Sequence, residues 1–253
     1  MEYLLSAQAA TGFEFLEQTG STNRDLLDRA ESCPEFYVLA TNFQTAGRGR
    51  MDRAWEAAPK SSVMASMLLR PRFADSAGVG WLSLLAALAI HQALGNFGVE
   101  SSIKWPNDVL IEDKKISGIL AEASSDLSSV VIGFGINVTQ SANQLPVAAA
   151  TSLFIITGKE IDRDQLLATV IENLKDLYEK FSEAGGNADA SGLRSELIRV
   201  SATIGQQVSV EFPDGTKALG LAIDIDSSGR LVVQTQIETL SVSAGDVLHL
   251  RTT

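Results

Sequence analysis

The 253-residue sequence has few of the residues on which several common classes of protein depend. It contains one cysteine, Cys33, which excludes an internal disulfide framework. Two histidines and one thiol also leave little material for a zinc site. This composition fits a reducing compartment, and we expect a cytoplasmic protein.

Positive charge is scarce as well. The chain has 20 Lys and Arg against 31 Asp and Glu, a formal net charge of −11. General affinity for nucleic acid or for an anionic membrane depends on clustered cations, so neither partner is expected. Any anion that this protein binds must therefore be met by a local group of basic residues.

Targeting and membrane segments are also missing from the pattern. No basic region precedes the short apolar patch at the N-terminus, which argues against a secretory signal. The longest apolar stretch, WLSLLAALAIHQAL from Trp81, is interrupted by polar residues and is too short to cross a bilayer. We interpret it as part of a core helix.

Hydrophobic periodicity predicts an α+β protein. Runs rich in β-formers predict strands, apolar residues at helical spacing predict helices, and the segment 108–124 reads as a hairpin around the turn Glu112-Asp113-Lys114. The other predicted strands are 36–43, 61–71, 99–106 and 128–138, and the predicted helices are 79–96, 163–184 and 191–200.

Beyond Ile204 the sequence pattern changes to five short runs in which apolar and polar residues alternate. Turns such as Pro213-Asp214-Gly215 separate these runs. Five strands without a helix predict a small β-barrel. We therefore expect a catalytic-sized domain over residues 1–203 and a small β-domain over 204–253.

Basic residues concentrate in the segment QTAGRGRMDRAW, residues 44–55, between two predicted strands. Arginine stays charged and its planar guanidinium matches phosphate or carboxylate, while Gly47 and Gly49 allow backbone amides to approach a ligand. The segment is either a mobile anion-binding loop or a solvated surface turn. By itself, the composition leaves both interpretations open.

Two lysines stand in unusual surroundings. Lys104 ends a predicted strand in KWPNDV, where Pro106 stops the strand and Asn107 and Asp108 follow at a turn. Lys115 lies near the start of the second hairpin strand. A single lysine is usually a surface residue, so neither position carries a function by itself.

The common catalytic and nucleotide-binding sequence motifs are absent or incomplete. GRGRMD and GFGINV both lack the third glycine of the dinucleotide motif, and no P-loop sequence occurs. His91 falls in the apolar helix, His249 in the terminal β segment, and Cys33 stands alone, so no serine or thiol mechanism has its partners.

Together, five segments resemble the biotin protein ligases in order and spacing. They are GSTN (20–23), QTAGRGRMDRAW (44–55), KWPNDV (104–109), KKISGILAE (114–122) and VVIGFGINV (130–138). The resemblance implies a catalytic domain with a mixed, mostly antiparallel sheet and flanking helices, as in class II synthetases, followed by an SH3-like β-barrel.

The resemblance implies a two-step reaction. Biotin and MgATP give biotinyl-5'-AMP and pyrophosphate, and the biotinyl group then passes to a lysine of a biotin carboxyl carrier domain. Too few residues precede Phe13 for the DNA-binding domain of some members, so we expect the ligase without a repressor function. Nothing in the sequence decides whether the chain forms a homodimer.

Matching positions carry the family's site residues onto this sequence. Biotin contacts are expected from Ser21, Thr22, Asn23, Gln44, Arg48, Gly49, Arg50 and Lys115. Nucleotide contacts are expected from Arg50, Arg53, Trp55, Lys104, Asn107 and, in a turn formed by GIN, Asn137. Lys115, Lys104 and Arg50 are the expected catalytic residues. Asp108 is a candidate to assist Mg²⁺, and Arg251 is suggested to reach toward the site.

Two other functions remain open on this evidence. A lipoate-type ligase has a similar fold, although GRGR-x-x-R-x-W with KWPND favours biotin. A biotin-binding regulatory protein would keep the pocket without the transfer step, although the retained lysines and arginines argue for an active enzyme.

Overall fold

Two β-sheets divide the chain. The computed structural model describes residues 3–51, 53–73, 76–212, 215–243 and 246–249. The larger sheet has the strand order β1-β2-β3-β7-β6-β5-β4, and among its described strand pairs only β1–β2 is parallel. Its strands are β1 (Gly12–Leu16), β2 (Tyr37–Thr41), β3 (Ser62–Leu69), β4 (Ser102–Lys104), β5 (Asp108–Ile111), β6 (Lys114–Ala123) and β7 (Val130–Asn137). The predicted mixed, mostly antiparallel sheet is confirmed.

Helices flank this sheet, and the two longest pack against each other. They are α1 (Leu4–Ala9), α2 (Thr22–Asp28), α3 (Leu82–Asn96), α4 (Leu153–Thr157), α5 (Arg163–Glu183) and α6 (Leu193–Arg199). The three helices predicted from periodicity correspond to α3, α5 and α6.

Helix α3 is the centre of the main core. Its apolar residues Leu84, Leu85, Leu88 and Leu94 are fully buried, and Trp81 at its N-terminus is 0% exposed. The helix and the turn before it, residues 77–96, are long and apolar enough to cross a membrane, so the expectation that this stretch is too short is wrong. However, 67% of its 18-residue apolar segment is buried inside the protein. This segment is therefore a core helix, as its polar interruptions predict.

The two faces of the large sheet carry different layers. Val38, Met67 and Ile132 alternate with their neighbours to point into the main core with α3 and α5. The intervening residues Leu39 and Leu68 point the other way and form a smaller cluster under α2. Because α2 covers only part of that face, the rest is left open for a cavity.

The second sheet is antiparallel and has the order β11-β10-β9-β8-β12. Its strands are β8 (Gln207–Glu211), β9 (Lys217–Ile225), β10 (Leu231–Gln234), β11 (Thr239–Val242) and β12 (Asp246–His249). The five predicted strands are confirmed. The SH3-like closure and the domain boundary at 203/204 stay predictions.

Several short elements are absent from the sequence-based prediction, among them α1, β1, α2 and α4. Helix α1 shows why: its first turn is capped from α5, since the Asp164 carboxylate accepts from the Leu5 and Ser6 amides at 2.9 and 2.8 Å. Such a cap lies more than 150 positions away, so local pattern cannot reveal it.

Two local predictions are wrong. The hairpin turn comprises only Glu112 and Asp113, which have φ values of 49° and 60°, and Lys114 already belongs to β6. A two-residue turn with both φ positive suits the strand twist better than a three-residue turn. Asn137 does not lie in a turn; it is the last residue of β7.

Candidate active site

A cavity of about 230 Å³ opens on the α2 face of the large sheet, beyond the N-terminus of that helix. The GSTN segment, the arginine loop, the 104–108 turn and strands β6 and β7 supply its walls, and Val247 of β12 adds one contact from the second sheet. Segments far apart in sequence therefore share one space.

The structure brings almost all the predicted site residues to this cavity. Those that line it are Ser21, Thr22, Asn23, Gln44, Arg48, Gly49, Arg50, Arg53, Trp55, Lys104, Asn107, Asp108 and Lys115. Asn137 is the exception: its amide donates to the Thr151 carbonyl at 3.0 Å and accepts from Gln140 at 3.0 Å. Arg251 lies outside the described residues.

Three glycines form the floor. A Cβ at Gly133 would lie 1.9 Å from Asn23 Oδ1, and one at Gly135 would lie 2.2 Å from the Trp55 ring. Gly118 stands opposite Gly135 in the β6–β7 register. The repeated glycine of GFGIN therefore makes room for two site side chains, and this need for space explains a motif that lacks the third glycine of a dinucleotide fold.

One end of the cavity presents unused hydrogen-bonding groups. Gln44 Oε1 accepts from the Thr22 amide at 2.8 Å, which turns the Gln44 amide nitrogen away from that contact. Ser21 precedes α2 but does not cap it with its side chain. Within the described part of the chain, the Ser21 hydroxyl and Gln44 Nε2 make no hydrogen bond. Both atoms are available to a polar ligand.

Asn23 is held differently, because its side chain is bound by the protein. Its amide nitrogen donates to the Leu120 carbonyl and to Glu122, at 3.0 and 2.9 Å, and Ser66 Oγ lies 2.7 Å from its oxygen. Both amide hydrogens are thus used. In this structure Asn23 shapes the wall more than it offers donors.

The arginine loop has a defined backbone. Arg48 bridges Ala54 in antiparallel fashion, the Gly49 amide donates to the Arg53 carbonyl at 2.7 Å, and the Trp55 amide donates to Gly47 at 3.0 Å. A Cβ at Gly47 would lie 2.3 Å from the Trp55 carbonyl. Gly47 is therefore needed for the loop to fold back on itself.

Cationic groups gather at the cavity, and four of them contact neighbouring side chains, among them Arg53, which donates to Met51 Sδ at 3.8 Å. Arg48 pairs with Glu122 at 2.6 Å and Lys115 with Asp108 at 2.7 Å. Arg50 donates to Asn107 at 3.3 Å. Lys104 has no ion pair or hydrogen bond from its side chain among the described residues. The lining carries five Lys and Arg side chains against one carboxylate, Asp108, a charge balance that suits an anionic ligand.

Trp55 contributes an orphaned donor. Its indole nitrogen is buried and has no hydrogen-bond partner among the described residues. A buried N–H without a partner is costly, so an acceptor inside the cavity would satisfy it. Like the unused atoms of Ser21 and Gln44, it points to a polar ligand.

Some site residues have no role in the sequence-based prediction. Glu122 joins Asn23 to Arg48, Ser66 supports Asn23, and Val247 reaches the cavity from the second sheet. Glu122 belongs to the segment KKISGILAE, and its negative charge within that segment is the sequence feature that could have indicated its role. For Ser66 and Val247 no local pattern marks the role.

The residues whose types could serve nucleophilic catalysis lie away from this cavity. Cys33, His91 and His249 do not line the cavity. Burial lowers the pKa of His91 and of His249, and the nearby charges of Arg199 and Lys104, respectively, lower these pKa values further. Among the described residues, the cavity therefore offers charge and hydrogen bonds but no activated side-chain nucleophile.

Comparison with known proteins agrees with this geometry. The Biotin/lipoate A/B protein ligase family matches residues 13–137, and the Biotin protein ligase C terminal domain matches residues 203–250. The chain is 38% identical over 252 residues to a biotin–[acetyl-CoA-carboxylase] ligase of Mycobacterium tuberculosis, covering 96% of this chain and 92% of that protein.

Two further relatives extend the comparison. The bifunctional ligase/repressor BirA of Bacillus subtilis is 33% identical over 241 residues, covering 92% of this chain and 72% of BirA. The structure of the biotin protein ligase from Aquifex aeolicus in complex with biotin and ATP has a TM-score of 0.81 at 27% identity, covering 96% of this chain and 100% of that one.

Proposed function

Because the chain belongs to the biotin protein ligase family, we propose that it activates biotin with ATP and transfers the biotinyl group to a lysine of a biotin carboxyl carrier domain. One observation carries the proposal. A single cavity combines unused polar atoms at Ser21 and Gln44 with the cations Arg48, Arg50, Arg53, Lys104 and Lys115.

The chemistry requires no protein nucleophile. In the first step a carboxylate oxygen of biotin attacks the α-phosphorus of ATP, a new P–O bond forms, and pyrophosphate leaves. In the second step the neutral amine of the carrier lysine attacks the acyl carbon, AMP leaves, and the amine loses a proton. The enzyme mainly orients the reactants and stabilises charge on phosphate.

Repulsion between the biotin carboxylate and the ATP phosphates sets the main requirement on the site residues. Two unit charges about 4 Å apart, at an effective dielectric constant of about 20, interact by about 4 kcal/mol, so bringing carboxylate to phosphate is unfavourable by that order. A Lys or Arg at similar range offsets it. Lys115 and Lys104 approach the cavity from different strands, which suits them to the carboxylate and the phosphates.

Biotin's ureido ring needs both donors and acceptors. The Gln44 amide nitrogen can donate and the Ser21 hydroxyl can do either, and neither is used by the described part of the protein. Thr22 completes this end beside Gln44. We assign the ureido ring to this end and the adenylate to the cationic end, with Trp55 Nε1 donating to the bound intermediate.

The loop that carries Arg48 and Arg50 has a protective role in this proposal. Biotinyl-5'-AMP is a mixed anhydride that water hydrolyses, so covering it keeps the acyl group for the carrier. Arg48 and Arg53 are exposed in the structure, and Arg50 is half-buried. Ordering of these side chains over the ligand would close the cavity.

Magnesium enters with ATP. The described residues contain no cluster of His, Cys, Asp or Glu that could hold a metal ion by itself. ATP-bound Mg²⁺ keeps several waters and needs few protein carboxylates, and Asp108 at the cavity fits that requirement. Mg²⁺ would neutralise phosphate charge when bound.

The direct test is transfer of labelled biotin. The purified chain, MgATP and a biotin carboxyl carrier domain should give a labelled carrier and biotin-dependent pyrophosphate, and omission of ATP should abolish both. Tight biotin binding without pyrophosphate release would instead identify a binding protein. A thermal-shift comparison separates a lipoate-type ligase: with MgATP, biotin should raise the Tm and lipoic acid should not.

A further inference from the structure

Lys104 depends on its backbone for its position. Its ammonium group makes no ion pair or hydrogen bond in the part of the chain that the structure describes. Lysine has a flexible four-carbon stem, so without a bonded partner the placement of its Cα sets the region that its charge can reach. Lys104 ends the three-residue edge strand β4 and is followed by Trp105 and Pro106, so the environment of this short segment decides where the cation lies.

The segment that leads into the second sheet pairs with this edge strand. Ile103 bridges Ser201 in parallel, the Ile103 amide donates to the Val200 carbonyl at 2.9 Å, and the Ala202 amide donates to the Ile103 carbonyl at 2.8 Å. The connection between the two sheets is therefore an extra strand-like neighbour of β4 and not a free tether.

This register brings Thr203 to Trp105. The Trp105 amide donates to Thr203 Oγ1 at 3.0 Å, and the Trp105 indole donates to the Gly229 carbonyl, in the β9–β10 turn, at 2.9 Å. Trp105 is 3% exposed and Thr203 is 0% exposed. His249 Nε2 lies 3.2 Å from the same Thr203 oxygen. We call Trp105, Thr203 and Gly229 the junction clamp.

We propose that the junction clamp positions Lys104 for adenylate formation, so that Trp105 and Thr203 are positioning residues for the reaction. Both N–H groups of the residue next to Lys104 are bound, one by the β9–β10 turn and one by the segment that leads into the second sheet. Loss of either bond lets the 104–106 segment move, and a displacement of about 1 Å can lower a rate by about 100-fold.

The chain offers a matched control. The Trp81 indole donates to the Ser227 carbonyl at 3.0 Å, in the same β9–β10 turn, and Trp81 is also fully buried. Trp81 precedes α3 and does not line the cavity. Trp81→Phe and Trp105→Phe therefore remove the same kind of bond from the same turn, but only Trp105 adjoins a predicted catalytic residue. Trp105 also lines the cavity and Thr203 does not, so Thr203→Val is the decisive variant.

The experiment measures kcat and KM for biotin and for ATP, from biotin-dependent pyrophosphate release, together with the Tm. Trp105→Phe and Thr203→Val should each lower kcat by about tenfold or more, with the KM for biotin unchanged because Ser21 and Gln44 lie elsewhere in the cavity. Thr203→Ser keeps the hydroxyl and should restore kcat. Trp81→Phe should lower the Tm without lowering kcat.

Three results would overturn the inference. The first is an unchanged kcat in Thr203→Val, and the second is an equal fall in kcat in Trp81→Phe. The third is a kcat in Thr203→Ser as low as in Thr203→Val. The inference rests on the proposed function, and the wild-type arm separates the two: an active wild type with these results refutes only the clamp, whereas a wild type that releases no pyrophosphate refutes both.

Discussion

Lys115 Nζ lies 2.7 Å from Asp108 Oδ1, across two neighbouring strands of the hairpin. Gly118 stands directly opposite Asp108, and a Cβ there would lie 2.8 Å from the lysine nitrogen. The missing side chain leaves a path for the ammonium group to fold back toward the carboxylate. Lys115 is therefore held at the cavity before any ligand binds.

Lys115→Ala should remove this fixed charge and lower the rate of biotin-dependent pyrophosphate release by about 100-fold or more, in line with loss of one electrostatic group at a transition state. Lys114→Ala is the control, because Lys114 is exposed on the same strand and does not line the cavity. Near-normal activity of Lys115→Ala would show that another lysine carries the role.

Arg50→Gly should weaken retention of biotinyl-5'-AMP, since a guanidinium of the arginine loop is replaced by hydrogen. We expect biotinylation of bystander lysines, measured on an unrelated protein such as serum albumin. Arg72→Gly serves as a control because Arg72 is exposed and away from the cavity. Labelling confined to the carrier domain in both variants would argue against the lid role.

Gly135→Ala should place a methyl group 2.2 Å from the Trp55 ring. Overpacking of this kind costs about 1–3 kcal/mol, and displacement of Trp55 should weaken binding of biotin and ATP, measured by calorimetry. Gly95→Ala in α3 has nothing within 4 Å of its Cβ, so it should be neutral or stabilising. Unaltered affinity in Gly135→Ala would remove Trp55 from the binding site.

Glu122→Gln should loosen both partners of this carboxylate, because Asn23 and Arg48 each bind one of its oxygens. Loss of charge-assisted bonds at a partly exposed site is worth about 1 kcal/mol, so the KM for biotin should rise by about fivefold. Glu100→Gln, exposed at another edge, should leave it unchanged. An equal KM in both variants would contradict the idea that Glu122 couples Asn23 to the arginine loop.

Acid should destabilise the protein through its two histidines. Burial and nearby cations lower the pKa of His91 and of His249 in the folded chain. As the pH falls below about 6.5, the unfolded chain binds protons that the folded chain does not, so the free energy of unfolding falls. Above that pH both states are neutral and the contribution is constant.

The test compares the Tm at about pH 7.5 and about pH 5.5, on either side of the ordinary histidine pKa. The double variant His91→Gln, His249→Gln should lose less Tm between the two pH values than the wild type does. Since each comparison is made within one variant, a change in overall stability cancels. An unaltered pH dependence would show that carboxylates and not histidines set it.

Much of the fold follows from local pattern. Periodicity marks α3 and α5, continuous runs of apolar or β-forming residues mark β3 and β7, and alternation marks the five terminal strands. Glycines with arginines mark the loop between β2 and β3. These features depend on neighbours within a few positions. Helix α1 escapes this reading because a tertiary contact, the cap by Asp164, stabilises its first turn.

For the site, the sequence by itself determined which side chains are present: the cations of residues 48–53, Lys104, Lys115 and the glycines of GFG. Only the tertiary structure decided which of them meet. Asn23 above Gly133, Arg48 beside Glu122 and Trp105 against Gly229 are pairs separated by 74 to 124 positions. Strand pairing brings such residues together, and its register depends on the packing of the whole core, which no short segment specifies.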